Sequence, residues 1–403
     1  MNTKQSFIQR WLEAQRSVTE LPEPDAEARA HSQRLTELIR QRIREADGAI
    51  PFHEFMQLAL HAPGLGYYSA GSRKFGEAGD FITAPETSPL FARCLARAIQ
   101  PVLASLPQAQ LLEVGAGSGV MAAGFLQELT TLHCTPDSYF ILELSADLKQ
   151  RQAETLQPYA EVVSWVDNLP DNFTGIVLAN ELLDAMPVHR VVWHQDELHE
   201  CYVAWETDRF VWQLGPLCDV RLQERFETIL TQLGELPDGY VTEINLAAED
   251  WIKTVGEQLQ QGMLLLIDYG FARHEFYHPQ RRQGTLMCHY RHRAHDDPLI
   301  LVGLQDITAH IDFTAIADIA LGADLRVAGY TTQAHFLLGS GLTELVQPSG
   351  NDADAVQQLE LANQIKRLTL PQEMGELFKV MALTKNLQIS MPGFSLRDLR
   401  NSL

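Results

Sequence analysis

The sequence has 403 residues, of which 45% are hydrophobic and 21% charged, as in a soluble globular protein long enough for one large domain or two. The formal net charge of −21 would repel nucleic-acid phosphates, so we expect no nucleic-acid partner. Such a surface suits a cationic partner, and the alternative is a charge that only keeps the protein soluble. No run of 18 apolar residues is present, so we expect no membrane-spanning helix and no insertion into a membrane.

The N-terminal residues and the cysteines predict a cytoplasmic protein. Residues 1–10 are polar and lack the apolar region of a signal peptide, and acids from Glu13 onward argue against a transit peptide. Five cysteines are present, an odd number with no Cys-x-x-Cys pair. This pattern favours free thiols in a reducing compartment over a disulfide scaffold or a zinc ribbon.

The beginning of the chain reads as helical and then as a long loop. Apolar residues at helical spacing between Leu35 and Ile43 predict a helix over 26–47, and a proline suits the first turn of a second helix over 51–60. The stretch 63–85 is rich in glycine, aromatic and polar residues and has no periodicity. Long ordered loops of this kind are often functional.

From Gln110 onward, strands alternate with helices, which predicts a parallel sheet with helices on both faces. The predicted strands are 111–114, 139–143, 161–163, 175–179, 262–270 and 377–383, and the predicted helices are 120–132, 145–157, 219–236, 247–261, 313–321 and 356–368. Strand 262–270 is the most apolar, so we expect it to be central. Strand-like segments with tight turns after Val188 predict a β insertion at about 188–236.

A glycine-rich turn joins the first of these strands to its helix and predicts a nucleoside-type cofactor. The turn consists of Gly115, Ala116, Gly117, Ser118 and Gly119. Its glycines allow close approach of a ligand to the backbone at a helix N-terminus. A dinucleotide turn needs Gly-x-Gly-x-x-Gly, but Val120 stands at its third glycine. Glu113 precedes the turn and suits a cofactor with a cationic amino-acid end, such as S-adenosylmethionine (SAM). The alternative is a turn selected only for tight packing.

Polar residues after the next strands extend the predicted cofactor site. Glu143 ends the second strand and can accept both ribose hydroxyls, with Leu144 beside it. NAD enzymes use the same interaction, so this acid supports nucleoside binding without selecting the nucleoside. Asp167 and Asn168 follow the third strand and could contact the adenine amino group. A plain turn is the alternative for this last pair.

The fourth strand ends in Asn180, Glu181 and Asp184, which we predict to be catalytic. Residues just beyond the carboxyl end of a central strand lie at the mouth of the site in sheets of this type. The Asn180 amide can face cofactor and substrate together, and the two carboxylates can orient a guanidinium or amine and receive its proton. The alternative is a helix cap. The activated sulfonium needs no metal or nucleophilic triad.

A metal site is conceivable at His289, His292 and His295, but their spacing matches one helical face only moderately. Arg291 and Arg293 between them would repel a cation. We therefore expect no metal.

With these residues in place, the chain resembles the MidA-like methyltransferase family. The motifs that carry the resemblance, spread between Gly64 and Leu338, are Gly66–Tyr68, Phe75–Glu86, Glu113–Gly119, Asn180–Pro187, Ile267–Gly270, His292–His295 and Asp306–Phe313. Each motif is weak alone, and their order and spacing together are specific. The family includes a mitochondrial assembly factor of respiratory complex I that dimethylates an arginine.

The resemblance implies an α/β fold of the class I methyltransferase (Rossmann-like) type, a doubly wound sheet with a helical N-terminal extension. We therefore divide the chain into an extension with a cleft loop (1–85) and a SAM-binding domain (86–403) that carries the β insertion. The resemblance also assigns Asp80 and Thr83 to the cofactor and substrate cleft. The family often has proline at the position of Ala116 and a basic residue at that of Ser118, which leaves the relation to the arginine-modifying members open.

The predicted activity is SAM-dependent N-methylation of an arginine in a partner protein, with a respiratory-complex subunit as one candidate acceptor. A non-catalytic SAM-binding assembly factor or scaffold is the alternative. An NAD-linked oxidoreductase is disfavoured by the glycine spacing. The sequence does not indicate the oligomeric state.

Overall fold

The computed structural model describes residues 21–69, 83–108, 110–346 and 355–403. By its internal contacts the chain forms two compact units, each assembled from three segments. Of the described residues, the first unit takes 21–69, 184–248 and 273–310, and the second takes 83–108, 110–183, 249–272, 311–346 and 355–403. Within the described ranges, no helix is both long and apolar enough to cross a membrane. The predicted domain boundary at residue 85 and the extent of the predicted insertion stay predictions.

The structure contains the following strands and helices in the described residues. The strands are β1 (Ala49–Pro51), β2 (Gln110–Val114), β3 (Ser138–Leu142), β4 (Val163–Val166), β5 (Phe173–Asn180), β6 (His189–His194), β7 (Glu197–Glu206), β8 (Arg209–Gly215), β9 (Tyr240–Ile244), β10 (Leu259–Phe271), β11 (Met287–Tyr290), β12 (Arg293–His295), β13 (Asp306–Thr308), β14 (Ile311–Asp312), β15 (Arg326–Thr332) and β16 (Phe378–Lys385). The helices are α1 (Ala26–Glu45), α2 (Phe52–His61), α3 (Ala84–Thr87), α4 (Pro89–Ser105), α5 (Val120–Thr131), α6 (Ala146–Thr155), α7 (Arg221–Leu233), α8 (Leu246–Gln258), α9 (Arg273–Phe276), α10 (Phe313–Gly322), α11 (Gln333–Gly339), α12 (Leu342–Leu345), α13 (Ala355–Thr369) and α14 (Met374–Leu377).

The second unit is built on a mixed sheet with the order β15-β16-β10-β5-β2-β3-β4, and β14 pairs with the end of β10. Strands β10, β5, β2, β3 and β4 run parallel, whereas β16 is antiparallel to both of its neighbours. Its central strands are buried because their apolar side chains pack into one core with Leu95 and Ile99 of α4 and Phe125 of α5. This sheet confirms the predicted α/β class.

Two glycines face each other across the central strands β5 and β10. Gly262 lies opposite Gly175 and has a φ of +140°, next to an irregularity in the strand pairing. A Cβ atom on Gly262 would lie 1.9 Å from the carbonyl oxygen of Gly175. The close approach of these two strands therefore requires glycine at this point.

The first unit is built from two antiparallel sheets and helices. In one sheet β7 pairs with β1, β6 and β8, and β6 pairs with β9; in the other β11 pairs with β12 and β13. Helices α1 and α2 contribute Leu35, Ile39, Phe52 and Phe55 to a core that includes Trp212 of β8. The amphipathic spacing that predicted α1 thus reflects its buried face, and α2 begins directly after the proline that predicted its start.

The predicted elements recur in the structure, with two shifts. The strand predicted at 161–163 is β4, which begins only at Val163 because Val162 donates its backbone N–H to the carbonyl of Tyr159 and closes a turn. The helix predicted over 247–261 ends at Gln258, where β10 begins. Helix α4 and strand β15 were not predicted. Strand 262–270 is confirmed as an interior strand, since β10 has partners on both sides.

Candidate functional site

The connections of the second sheet place a switch point between β2 and β5. From β2 the chain proceeds to β3 and β4 on one side, and it then crosses back to β5 on the other side of β2. Open sheets of this kind bind ligands in the crevice at the carboxyl ends of the two strands that flank the switch. Glu113 near the end of β2 and Asn180 at the end of β5 therefore lie at the expected position.

The glycine turn has the backbone geometry that its sequence predicts. Gly115, Gly117 and Gly119 have φ values of 72°, 53° and 82°, and Gly119 forms the N-cap of α5. Ala116 between them is buried. Within the described part of the chain, no atom lies within 4 Å of a Cβ placed on Gly117. The exposed amide groups at the start of α5 favour a polar ligand.

Glu113 is a buried acid beneath this turn, with 1% of its surface exposed. Its Oε2 accepts a hydrogen bond of 2.6 Å from the hydroxyl of Tyr139 on the neighbouring strand β3. Burial raises the pKa of Glu113 to about 7 and the Glu143 carboxylate adds to the increase, although the bond from Tyr139 opposes it. A cationic group bound here would lower that pKa and hold the carboxylate ionised.

Glu143 follows β3 directly and is also buried. Its Oε1 accepts the backbone N–H of Ser145 at 2.9 Å, and its Oε2 accepts the side-chain amide of Gln152 at 3.0 Å. Burial raises the pKa of Glu143, and these two bonds oppose the increase. Both oxygens are oriented but keep further lone pairs, as a diol ligand requires. Leu144, the predicted cofactor residue beside it, is 82% exposed, and its role stays a prediction.

Gln152 is hydrogen-bonded to both Glu143 and the glycine turn, and the sequence did not predict this role. From α6 its Nε2 donates to the carbonyl of Gly117 at 3.0 Å as well as to Glu143, and its Oε1 accepts the indole N–H of Trp165 at 2.8 Å. Thr155 on the same helix donates to the carbonyl of Ser118 at 2.9 Å. Helix α6 therefore fixes the second half of the glycine turn.

A second unpredicted contact reaches the turn from α3. The hydroxyl of Ser118 donates a hydrogen bond to the carboxylate of Glu86. Glu86 belongs to the family motif that begins at Phe75, although no role was assigned to it. Thr83, a predicted cofactor residue, is buried at the N-cap of this short helix. Asp80 lies outside the described residues.

Asn180 and Glu181 are held together at the end of β5. The Nδ2 of Asn180 donates to Glu181 Oε1 at 3.1 Å, and the backbone N–H of Glu181 donates to the carbonyl of Ile267 at 2.9 Å. Glu181 has a φ of 50°, which is uncommon for a residue other than glycine and is typical of functional turns. The Oδ1 of Asn180 is buried and has no hydrogen-bond partner among the described residues.

The structure also describes the remaining predicted site residues. Asp167 is 86% exposed at its side chain and pairs with Lys149 at 3.0 Å, and Asn168 beside it is exposed. Asp184 belongs to the first unit, where it is buried and its carbonyl accepts the N–H of Ala309. The roles assigned to these residues and to the glycine turn stay predictions.

The residues of the second unit fit a nucleoside cofactor with a cationic end. The buried Oδ1 of Asn180 needs a donor, which an amine or hydroxyl supplies, because an unpaired buried acceptor is costly. The Glu113 carboxylate suits a cation, and Glu143 suits a pair of ribose hydroxyls. Two carboxylates at this position would repel the phosphates of a dinucleotide. SAM satisfies these requirements.

This sheet, its glycine turn and its two strand-end acids define a SAM-binding protein with a class I methyltransferase fold. The comparison with known sequences agrees, since residues 94–331 match the family described as "Putative S-adenosyl-L-methionine-dependent methyltransferase". The chain belongs to this family of SAM-dependent methyltransferases.

A solved relative supports both the fold and the cofactor. The chain is similar to a protein from Burkholderia thailandensis whose crystal structure contains S-adenosyl-homocysteine, with 42% identity and a TM-score of 0.90. The match covers 95% of this chain and 100% of that one. A second crystal structure of an uncharacterised protein from Burkholderia thailandensis also has 42% identity, with a TM-score of 0.87 over the same shares.

Curated relatives come from animals. The chain is 30% identical to the protein arginine methyltransferase NDUFAF7, mitochondrial, of Rattus norvegicus, over 88% of this chain and 86% of that protein. It is 29% identical to the Mus musculus protein of the same name, with the same coverage. The names of both relatives place them in mitochondria.

Proposed function

We propose that this methyltransferase transfers a methyl group from SAM to a side-chain nitrogen of an arginine in a partner protein. Similarity over nearly the whole chain to proteins named as arginine methyltransferases supports this acceptor. The net charge of −21 also suits a cationic acceptor.

The observation that carries the proposal is the pair Asn180 and Glu181. The sulfonium of SAM supplies an electrophilic methyl group, so the chain has only to orient the acceptor and take up its proton. A guanidinium is protonated at neutral pH and must lose a proton when a new N–C bond forms. The Glu181 carboxylate, held by the Asn180 amide and fixed at a positive φ, can accept guanidinium N–H groups and that proton.

Methyl labelling tests this function. A lysate from cells that lack the protein is incubated with methyl-labelled SAM and the purified chain, and labelled proteins are digested and analysed by mass spectrometry. We expect methylarginine in one or a few proteins. Label on another residue type would refute the arginine assignment, and absence of label despite SAM binding would favour a non-catalytic scaffold.

Variants separate binding from catalysis. Glu181→Gln should keep SAM affinity within about threefold, as expected for a residue that contacts the acceptor, and should reduce turnover by 100-fold or more (about 3 kcal/mol). Glu113→Ala should lose SAM binding and labelling together. Glu154→Gln changes an exposed acid of α6 and should leave both unchanged. Full activity of Glu181→Gln would remove Glu181 from the proposed mechanism.

Two further parts of the proposal are the class of acceptor protein and the location in the cell. A respiratory-complex subunit is the first acceptor to test, because the MidA-like family includes an assembly factor of complex I. The proposed location is the cytoplasm, whereas the curated relatives are named as mitochondrial. Fractionation of cells that express the chain from its own gene tests this, and recovery in an organelle would refute it.

A further inference from the structure

Four side chains with metal-ligating atoms converge in the first unit, and none of them belongs to the predicted cofactor site. They are His53 of α2, His189 of β6, Glu200 of β7 and Cys218 of the segment between β8 and α7. Their ligand atoms all lie within 4.8 Å of one another. We propose that these four residues bind one Zn²⁺ ion that links helix, sheet and connecting segment in this unit.

Strand register and helix packing bring the four residues together. Strands β6 and β7 are antiparallel with Val191 opposite Glu200, so His189 and Glu200 are diagonal neighbours on one face. Helix α2 contacts both strands and places the ring of His53 against that of His189, with centroids 4.0 Å apart. The backbone N–H of Cys218 donates to Glu200 Oε2 at 2.7 Å and directs the thiol toward the same point.

The distances between ligand atoms match a small tetrahedral site. Zinc bonds of about 2.0 Å to nitrogen or oxygen and about 2.3 Å to sulfur imply separations of roughly 3.3–3.6 Å between ligand atoms. The Sγ of Cys218 lies 3.3 Å from Glu200 Oε1 and 3.8 Å from His189 Nδ1. Glu200 Oε1 lies 2.8 Å from His189 Nδ1 and 3.9 Å from His53 Nδ1. Small side-chain adjustments would make these separations equal.

The donor set selects zinc among common cations. Two imidazole nitrogens, one carboxylate oxygen and one thiolate sulfur suit Zn²⁺, whereas Mg²⁺ and Ca²⁺ prefer all-oxygen sites. A carboxylate and a thiolate together neutralise the ion, which is important because Glu200 is fully buried. Four protein ligands leave no open position, so the site is structural.

A hydrogen-bonded cluster without metal is the simplest competing explanation, since His189 already pairs with Glu200. Two features favour the ion. The Nδ1 of His53 is buried and has no hydrogen-bond partner within the described ranges, although it faces the other three ligands. Cys218 is exposed, which gives an ion access from solvent. The sequence expectation of no metal rested on the methyl-transfer chemistry and on the histidines at 289, 292 and 295, and it did not consider ligands separated by up to 165 positions.

Metal analysis tests the proposal on the full chain without an affinity tag. We expect about one zinc per chain after dialysis against buffered free Zn²⁺. Cys218→Ser and His53→Gln should each lower zinc affinity at least about tenfold. Cys134→Ser, in the second unit, and His199→Gln, on β7 outside the cluster, are matched controls that should retain it. Co²⁺ should give the visible spectrum of a tetrahedral thiolate site in the wild type but not in Cys218→Ser.

The thermal midpoint gives a readout independent of methyl transfer. A chelator should lower the wild-type midpoint by more than it lowers that of Cys218→Ser, because the variant binds zinc more weakly. Both variants change partly exposed side chains, so circular dichroism can establish that they fold. Zinc content and affinity that are equal in Cys218→Ser, His53→Gln and the controls would overturn the proposal. Absence of stoichiometric zinc in the folded wild type would also overturn it.

Discussion

Replacement of Glu113 by glutamine removes a buried charge that opposes folding when no cofactor is bound. Its pKa in the folded chain is about 7, raised from an ordinary value of 4.5 mainly by burial. Between these two values the folded state binds more protons than the unfolded state, so stability falls as the pH rises through this window. Glutamine keeps the shape of the side chain and an acceptor for the Tyr139 hydroxyl, and it carries no charge at any pH.

The size of the effect follows from the two pKa values. Ionisation of Glu113 should destabilise the cofactor-free chain by about 1 kcal/mol at pH 5.5 and by about 3 kcal/mol at pH 8.5. The stability of Glu113→Gln relative to the wild type should therefore increase by about 2 kcal/mol between these pH values, or a few degrees in the thermal midpoint. The same substitution removes the partner of a cationic cofactor group, so SAM affinity should fall tenfold to 100-fold, or about 1.5–3 kcal/mol.

Calorimetric unfolding of the cofactor-free proteins at pH 5.5 and 8.5 measures the first effect, and titration with SAM measures the second. Glu154→Gln is the control, because it removes an exposed acid from the same unit and should show no pH-dependent gain. A relative stability of Glu113→Gln that is the same at both pH values would refute the buried-charge argument. Unchanged SAM affinity would remove Glu113 from the cofactor site.

Three further predictions concern the architecture around the turn. Gln152→Leu should lower SAM affinity about tenfold and stability by about 1–3 kcal/mol, because several buried hydrogen-bonding groups lose their partner; titration and denaturant unfolding measure both. Gly119→Ala forces a φ of 82° on alanine and brings its Cβ to 3.3 Å from Gln152 Cα. The free energy of unfolding should therefore fall by about 1–2 kcal/mol, and an unchanged thermal midpoint would contradict the strain. Gly262→Ala should abolish soluble expression, because its Cβ would meet the carbonyl oxygen of Gly175. Gly322→Ala, at the end of α10, should raise the free energy of unfolding by about 0.5–1 kcal/mol. Equal effects of the two substitutions would contradict the close approach of β5 and β10.

The sequence was sufficient to predict the parts of the fold in which local pattern and tertiary environment agree. Strands β2, β5 and β10 are short apolar runs bounded by turn residues, because each is buried between two neighbouring strands. Strand β15 was not recognised because its first three residues are exposed or half-buried, and it contains a glycine. It is a strand because it pairs with β16, a partner some 50 positions away.

In the candidate site, too, the residues that form local sequence features could be predicted, and those that depend on packing could not. Glycines with positive φ and acids at strand ends are local features, so the turn and Glu143 could be found from the sequence. Gln152 has no motif, since its contacts with Gly117 and Trp165 depend on how α6 packs against the turn. The role predicted for Asp167 stays a prediction, and the sequence did not indicate its ion pair with Lys149, which depends on how α6 packs beside β4.

The division of each unit among three chain segments has a consequence for synthesis on the ribosome. All segments of the first unit have been translated by residue 310, but β10 of the second unit pairs with β16, which ends at Lys385. A nascent chain that ends at Leu183 would carry β2 to β5 and expose one edge of β5 until β10 is translated. The sheet of the second unit is therefore complete only after β16 has been translated, whereas β2 to β5 emerge about 200 positions earlier.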